Sequence, residues 1–365
     1  MSQPEIALLL STYQRPAHLR RALASIALQA GVAGRMELVM TDDGSTDETA
    51  AIVQEFARTA PFPVGFTTHP HKSFQLSRCR NEGARASRAP YLLFMDGDCI
   101  LPPDHARIHL EHRQPGVVMA GDCVRLDQET SARITLDTIQ RGEFQNIASP
   151  NELRRLKRQA RASWFYRLLR HPTKPKLIGN NVGIWRADFE RINGYDENFQ
   201  GWGCEDDDLR FRLRRSGVHV ESILPWTHTF HLWHPNEPSL PALWKQGANV
   251  NYLLRKGRLT RCRNGLEKRP LADLAIHVIG QPNEPHAVAR LFRGRFGSRR
   301  AIEPEVEILF LPGEGRFSGQ AECNVVVALD AHAARSSLAR RAHLTITSPA
   351  ADSLDQIEQA LASVA

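Results

Sequence analysis

Tyr91-Leu92-Leu93-Phe94-Met95-Asp96-Gly97-Asp98 is an apolar run that stops on two carboxylates. A short apolar run bounded by a turn reads as a buried strand. Its two acids then stand in the loop at the strand's carboxyl end. Three more β runs lie upstream: residues 5–11 form an apolar one, 36–40 another that ends in Thr41-Asp42-Asp43-Gly44-Ser45, and 64–67 a short one. Helical patterns lie between them. Pro16 opens one through Leu19, Leu23, Ile26 and Ala27. Thr46-Asp47-Glu48 supplies capping and acidic first-turn residues for a second through Ile52, Val53 and Phe56, and residues 75–86 form a third. Strands alternating with helices imply parallel βαβ units, whose sheets bind ligands beyond the carboxyl ends of the strands. The acidic clusters fall at those ends.

The chain has 365 residues, 42% hydrophobic and 24% charged, which excludes a disordered tail, a collagen-like chain or a coiled coil and suits two or three lobes. Lys and Arg outnumber Asp and Glu by 47 to 40, a basic balance that fits nucleic acid, a membrane surface or an anionic small substrate. No apolar run approaches the ~20 residues of a spanning helix. No Lys or Arg precedes Arg15, so the start does not read as a secretory signal. The expectation is a soluble, cytoplasmic protein. The six cysteines are far apart with no CxxC pair, and are read as reduced thiols.

Beyond His109 the pattern loosens. Residues 117–120 read as a strand, 179–185 as a strand-like piece, 205–216 as a helix, and 225–238 as a loop rich in Trp, His and Pro. After Pro270 the texture changes to strand signals at 275–279, 306–311, 324–329 and 343–347 and a last helix at 353–364, a separate small α/β unit. Arg293, Arg295, Arg299 and Arg300 in this tail carry no chemistry that the sequence defines.

Three constellations carry chemistry. Asp96 and Asp98, one residue apart at a strand end, can share one hard divalent cation, Mg²⁺ or Mn²⁺, with a diphosphate filling the remaining positions. Taken alone, such a triplet is more often simply solvated. In Trp202-Gly203-Cys204-Glu205-Asp206-Asp207-Asp208 four adjacent acids repel one another unless a cation, a helix N-terminus or a catalytic role offsets the cost. The helix dipole accounts for one or two of them. That is the plainer reading; the sharper one makes one of them a general base for a hydroxyl nucleophile, with Trp202 offering a flat apolar face of the kind sugar rings stack on. His228, His231 and His234, three residues apart, supply one imidazole to the same cation, His231 first and His234 second.

In this order the segments resemble an inverting family 2 glycosyltransferase of the GT-A fold. Leu10-Ser11-Thr12-Tyr13-Gln14-Arg15-Pro16 resembles the family's opening P-T-Y-N-R, and Thr41-Asp42-Asp43-Gly44-Ser45-Thr46-Asp47 its D-D-G-S-x-D. Gln75-Leu76-Ser77-Arg78-Cys79-Arg80-Asn81-Glu82-Gly83 resembles its A-R-N-x-G helix and Asp96-Gly97-Asp98 its DxD. Gly179-Asn180-Asn181 through Gly194-Tyr195-Asp196 to Gly201-Trp202-Gly203-Cys204-Glu205-Asp206-Asp207 is similar to bacterial chondroitin polymerases and to the G-W-G-x-E-D-D segment of β-1,4-galactosyltransferases. The resemblance covers about residues 5–240. Ser11, Gln14 and Cys79 depart from it, standing where Pro, Asn and Ala are common.

The resemblance implies an α/β GT-A fold with a mixed central sheet, split into a nucleotide-sugar half (1–108) and an acceptor-binding and catalytic half (109–265), followed by the small α/β module (270–365). It implies that Thr12, Tyr13 and Arg15 surround the base and ribose, that Asp42 or Asp43 holds the uracil or ribose, and that Arg80 lies near the nucleotide or diphosphate. Asp98, with Asp96 behind it and His231 completing the shell, would bind Mn²⁺ or Mg²⁺. Asn180 and Asn181 would line the donor sugar, Trp202 and Glu205 would grip sugar hydroxyls, and Asp206 would deprotonate the acceptor. The implied reaction moves a hexose-type sugar from a UDP-sugar to a hydroxyl of a saccharide or lipid-linked saccharide, in cell-surface polysaccharide or glycolipid synthesis. A sugar-phosphate nucleotidyltransferase is the alternative within enzymes, but the segment after the first strand lacks the Gly-rich loop it would need. A non-enzymatic carbohydrate- or membrane-binding protein is the other, and intact Asp96, Asp98 and Asp206 argue against it.

Residues 153–176 hold nine Lys or Arg and no Asp or Glu, with Trp164, Phe165, Tyr166, Leu168 and Leu169 among them. This reads either as a solvated helix whose aromatics pack on the core or as an interfacial helix on anionic lipid at the inner face of the cell membrane. No nucleic-acid recognition motif accompanies the charge.

Overall fold

Strand β1 (Ile6–Thr12) is buried along its whole length, as an unbroken apolar sequence demands of a strand covered on both faces. In the computed structural model, which describes residues 3–169, 171, 173–255, 257–279, 303–313, 315–328 and 330–347 with 355, 358, 359, 361 and 362, it lies near the centre of a seven-stranded sheet. The chain divides into two units, Met1–Val250 and Asn251–Ala365.

In the first unit, α1 (Pro16–Ala27), β2 (Met36–Asp42), α2 (Thr49–Thr59), β3 (Val64–Thr68), α3 (Leu76–Ala86) and β4 (Tyr91–Asp96) alternate as the sequence predicts. There follow β5 (Cys99–Ile100), α4 (His105–His112), β6 (Val117–Ala120), β7 (Cys123–Arg125), α5 (Gln128–Arg133), α6 (Leu136–Gln140), α7 (Pro150–Leu168), β8 (Val182–Trp185), α8 (Arg186–Arg191), α9 (Glu205–Arg215), β9 (His219–Ser222) and β10 (Thr229–His231). The main sheet has the order β3-β2-β1-β4-β8-β6-β9. Its first four strands are parallel, β8 runs antiparallel to β4 and β6, and β9 is parallel to β6. The expected mixed sheet is therefore present.

Pleating sorts the side chains. Leu8, Leu10, Leu38, Met40, Leu93 and Met95 join Leu19, Leu23 and Ile26 of α1 in one core cluster. Phe94 turns to the other face, where its ring meets those of Phe189 and Tyr195. The parallel register pairs Thr12 with Asp42 and Ser11 with Asp96, so the first polar residues of three strands lie side by side at one sheet end.

The loop expected at 225–238 contains a strand. Residues Thr229, Phe230 and His231 pair with β7, and Phe230 and His231 also with β5, in a second sheet of order β5-β10-β7. Phe230 anchors it edge-to-face against Phe144. Asp47 caps the start of α2 by accepting the Thr49 N–H at 2.9 Å, although no acid stands in that helix's first turn.

The second unit is a four-stranded parallel sheet, β11 (Ile276–Ile279), β12 (Val306–Leu311), β13 (Cys323–Ala328) and β14 (Leu344–Thr347), in sequential order. Arg293, Arg295, Arg299 and Arg300 and most of the helix expected at 353–364 lie outside the described residues. Among the described residues no helix is long and apolar enough to cross a membrane.

Candidate active site

Every residue expected at the site except Asp42 and Asn181 borders one cleft of about 610 Å³, at the carboxyl ends of β1 and β4. Asp42 is consumed by its own turn. It accepts from the Ser45 N–H (2.8 Å), the Ser45 hydroxyl (2.5 Å) and the Thr68 hydroxyl (2.9 Å). Asp43 is the one that faces the cleft, held by His69 Nε2 (2.9 Å) and by the Gln75 N–H (3.1 Å) that opens α3. Tyr13 stacks on His71, with ring centroids 4.2 Å apart and planes at 10°. The His69-Pro70-His71 segment was not singled out in the sequence, although paired imidazoles just ahead of a helix start are a signal. Gln14 has φ +48°, a left-handed conformation that Asn tolerates better than Gln, which accounts for the residue more common there in the family it resembles.

The DGD turn is clamped from both sides. The Gly97 N–H donates to the Ser11 carbonyl at 2.8 Å, and the Leu232 N–H to the Asp98 carbonyl at 2.9 Å. Because β10 pairs His231 with Cys99, His231 arrives next to Asp98, and His234 follows after the strand. His231 Nε2 lies 3.5 Å from Asp98 Oδ1, His234 Nε2 3.2 Å from Oδ2, and Arg15 donates to Oδ2 at 2.9 Å. Burial pulls the Asp98 carboxyl upward, but these three bases outweigh it and hold the group well below the usual carboxylate range.

Ligand atoms of Asp98, His231 and His234 all lie within 4.8 Å of one another. His234 Nδ1 sits 2.7 Å from the Pro235 carbonyl, which leaves Nε2 facing the cluster, the outer hydrogen bond that orients a metal-binding imidazole. One carboxylate oxygen and two imidazole nitrogens form a mixed oxygen and nitrogen donor set that could hold a divalent metal ion. Asp96 stands outside this group, with Oδ1 3.4 Å from Arg80 Nη2. Burial, reinforced by Asp98 and Asp206 and only partly offset by Arg80, raises its carboxyl.

Arg80 is the hub of the other half. It is fully buried, and its guanidinium reaches Asp206 at 2.8 Å, Asp96 at 3.4 Å and Glu205 at 3.7 Å, with the Tyr195 ring 5.0 Å away. Expected near the nucleotide or diphosphate, it borders the cleft and holds these three carboxylates. Gly179 makes the room, since a Cβ there would lie 1.9 Å from Arg80 Nη2.

The four acids of α9 divide in two. Asp207 and Asp208 pair along the helix with Arg210 and Arg212, Asp207 at the cleft's edge, while Glu205 and Asp206 stand in the cleft beside Arg80. Asp206 Oδ1 accepts from Arg80 and, at 3.2 Å, from the Tyr195 hydroxyl; Oδ2 accepts from the Gly179 N–H at 2.8 Å. Burial and then the Asp206 charge push Glu205 up to about 8.

Asn180 borders the cleft, its amide nitrogen 3.2 Å from the Cys123 sulfur. Asn181 is fully buried behind it, with its amide oxygen 3.0 Å from His109 Nε2. Trp202 is exposed at the cleft rim.

Comparison with known proteins comes to the same region. The signature of "Glycosyl transferase family 2" matches residues 8–172, and that of "N-terminal domain of galactosyltransferase" residues 165–235. The chain is 29% identical over 231 residues to validoxylamine A glucosyltransferase of Streptomyces hygroscopicus subsp. jinggangensis, covering 59% of this chain and 52% of that one. It is 24% identical over 233 residues to chondroitin synthase of Escherichia coli, covering 60% and 33%. A mannosyltransferase of Pyrobaculum calidifontis, solved with GDP-Man and Mn²⁺, superposes with a TM-score of 0.44 at 16% identity, covering 60% and 55%. The chain spans about half the length or less of these curated relatives.

Proposed function

Because the chain belongs to glycosyl transferase family 2 and has the GT-A fold of that family, we propose that it transfers a hexose-type sugar from a UDP-sugar, with inversion, to a hydroxyl of a saccharide or lipid-linked saccharide. The product belongs to cell-surface polysaccharide or glycolipid synthesis. The observation that carries this reading is the pairing, in one cleft, of the Asp98–His231–His234 cluster with the Glu205–Asp206 pair.

Asp98, His231 and His234 hold the divalent ion, Mn²⁺ or Mg²⁺, with Asp96 beside them. When bound, that ion neutralises the charge that develops on a departing diphosphate. Tyr13, Arg15 and Asp43 hold the nucleotide, and Asn180 and Trp202 the sugars. Asp206 Oδ2 accepts one hydrogen bond in the structure, from Gly179, and a carboxylate oxygen has a second lone pair. That lone pair takes the proton of the acceptor hydroxyl. Glu205, protonated near neutral pH, donates to a sugar hydroxyl. Residues 1–108 serve the donor, 109–265 the acceptor, and 270–365 form a stabilising or pairing module.

Calorimetric titration with UDP, with and without Mn²⁺, tests the donor side. Binding should require Mn²⁺ and be lost in Asp98→Ala, and UDP binding indifferent to both would overturn the assignment. Asp206→Asn should keep UDP binding and lose transfer by about 10²-fold or more, the size of a general-base contribution. Unchanged turnover would remove Asp206 as the base.

A further inference from the structure

Helix α7 leaves a row of side chains that the cleft does not use. Arg154, Lys157, Arg158, Arg161, Trp164, Phe165 and Leu168 follow one another at steps of one or three residues, so they stack along one helix face. All seven are exposed. The face changes character along its length: the first two turns are cationic and the last two apolar. Trp164 is 59% exposed, Phe165 56%, Leu168 63% and the capping Leu169 72%, an apolar patch larger than isolated surface residues explain. The Trp164 and Phe165 rings hold each other edge-to-face at 4.9 Å.

The opposite side fixes the helix to the domain. Leu156 is its buried residue, and Arg155 bonds to Asp122 at 2.6 Å and to the Cys123 carbonyl at 2.6 Å. The chain leaving the apolar end returns through Lys176, Leu177 and Ile178 in the cleft wall to Gly179, which holds Asp206.

None of Arg154, Lys157, Arg158 and Arg161 pairs with a carboxylate among the described residues, whereas Arg155 and Arg167 on other faces do. A contiguous row of uncompensated cations running into an unburied aromatic and aliphatic end is complementary to one kind of surface, anionic outside and apolar within. We propose that α7 docks the enzyme on an anionic lipid bilayer, with its cationic turns on the headgroups and Trp164, Phe165, Leu168 and Leu169 inserted below them. The bilayer then lies beside the wall of the cleft that the acceptor enters.

The test is co-sedimentation of the full-length chain with vesicles of phosphatidylcholine alone and of phosphatidylcholine with phosphatidylglycerol in equal parts. The chain should bind the anionic vesicles and be released by salt. Each cation near such a surface changes partitioning about fivefold, so the combined Arg154→Gln, Lys157→Gln, Arg158→Gln, Arg161→Gln variant should bind at least about a hundredfold more weakly. Trp164→Ser with Leu168→Ser should lose at least about tenfold. Both variants alter exposed positions and should keep the wild-type circular dichroism and melting temperature. Absence of wild-type binding at low salt, or wild-type binding by either folded variant, overturns the proposal. A concentration-dependent dimer that the serine variant dissolves, without vesicle binding, assigns the face to a second copy and overturns it as well. The readout needs no turnover, so it stands or falls apart from the sugar-transfer reading.

Discussion

Arg80 sets the electrostatics of the cleft from inside the protein. Its fully buried guanidinium is shared by Asp96, Glu205 and Asp206, and removing one partner of a buried ion cluster leaves the others uncompensated. Arg80→Met should destabilise the first unit by about 3–5 kcal/mol, read from urea unfolding, with Arg80→Lys intermediate. Glu205 is its counterpart. Its carboxyl is raised from 4.5 in the unfolded chain to about 8 by burial and by Asp206, so the folded state binds a proton that the unfolded state has released. Stability contributed by this group is fully present below about 4.5 and is lost as pH rises towards about 8. Glu205→Gln should flatten that decline in melting temperature between pH 5 and 8, and an unaltered slope would place the proton elsewhere. The identities of these residues were legible in the sequence. Their mutual geometry was not, because Arg80 and Asp206 lie 126 positions apart and only the closed sheet brings the guanidinium against that carboxylate.

Elements carried most of the legible information. Apolar runs gave β1, β2 and β4, and the acids that close β2 and β4 gave the end of the sheet where the cleft lies, because buried parallel strands have no alternating pattern to disguise them. β10 was hidden: its Thr-Phe-His core sits among Trp, His and Pro, and its strand state depends on partners from β5 and β7. The choice of Asp43 over Asp42 was equally out of reach, since it depends on which carboxylate the turn itself consumes. That turn makes its own prediction. Gly44 has φ +78°, and a Cβ there would lie 2.5 Å from the His71 nitrogen and 2.6 Å from the His69 carbonyl. Gly44→Ala combines left-handed backbone strain with a clash against main chain that cannot swing away. It should cost about 1–3 kcal/mol and weaken UDP binding more than Gly34→Ala, where the added carbon meets nothing.

At the scale of the whole molecule, the change of texture expected after Pro270 lies inside the second unit, which begins at Asn251 and whose chemistry the sequence left undefined. All residues of the cleft fall within the first unit. A fragment of residues 1–255 should therefore bind UDP with a Kd within about threefold of the full chain (less than 1 kcal/mol), measured by the same calorimetry; a larger loss would bring the second unit into the donor site. The six cysteines are thiols and not disulfides, and five of them are buried. Cys79, Cys99 and Cys123 lie in the first unit, Cys262 and Cys323 in the second. Burial pushes the Cys123 thiol to about 12 and the Cys323 thiol to about 11, so neither offers a thiolate to solvent while folded. Each half of the chain thus contains its own chemical stopwatch: the pace at which an alkylating reagent tags these sulfurs, resolved peptide by peptide in a mass spectrometer, times the opening of one half separately from the other.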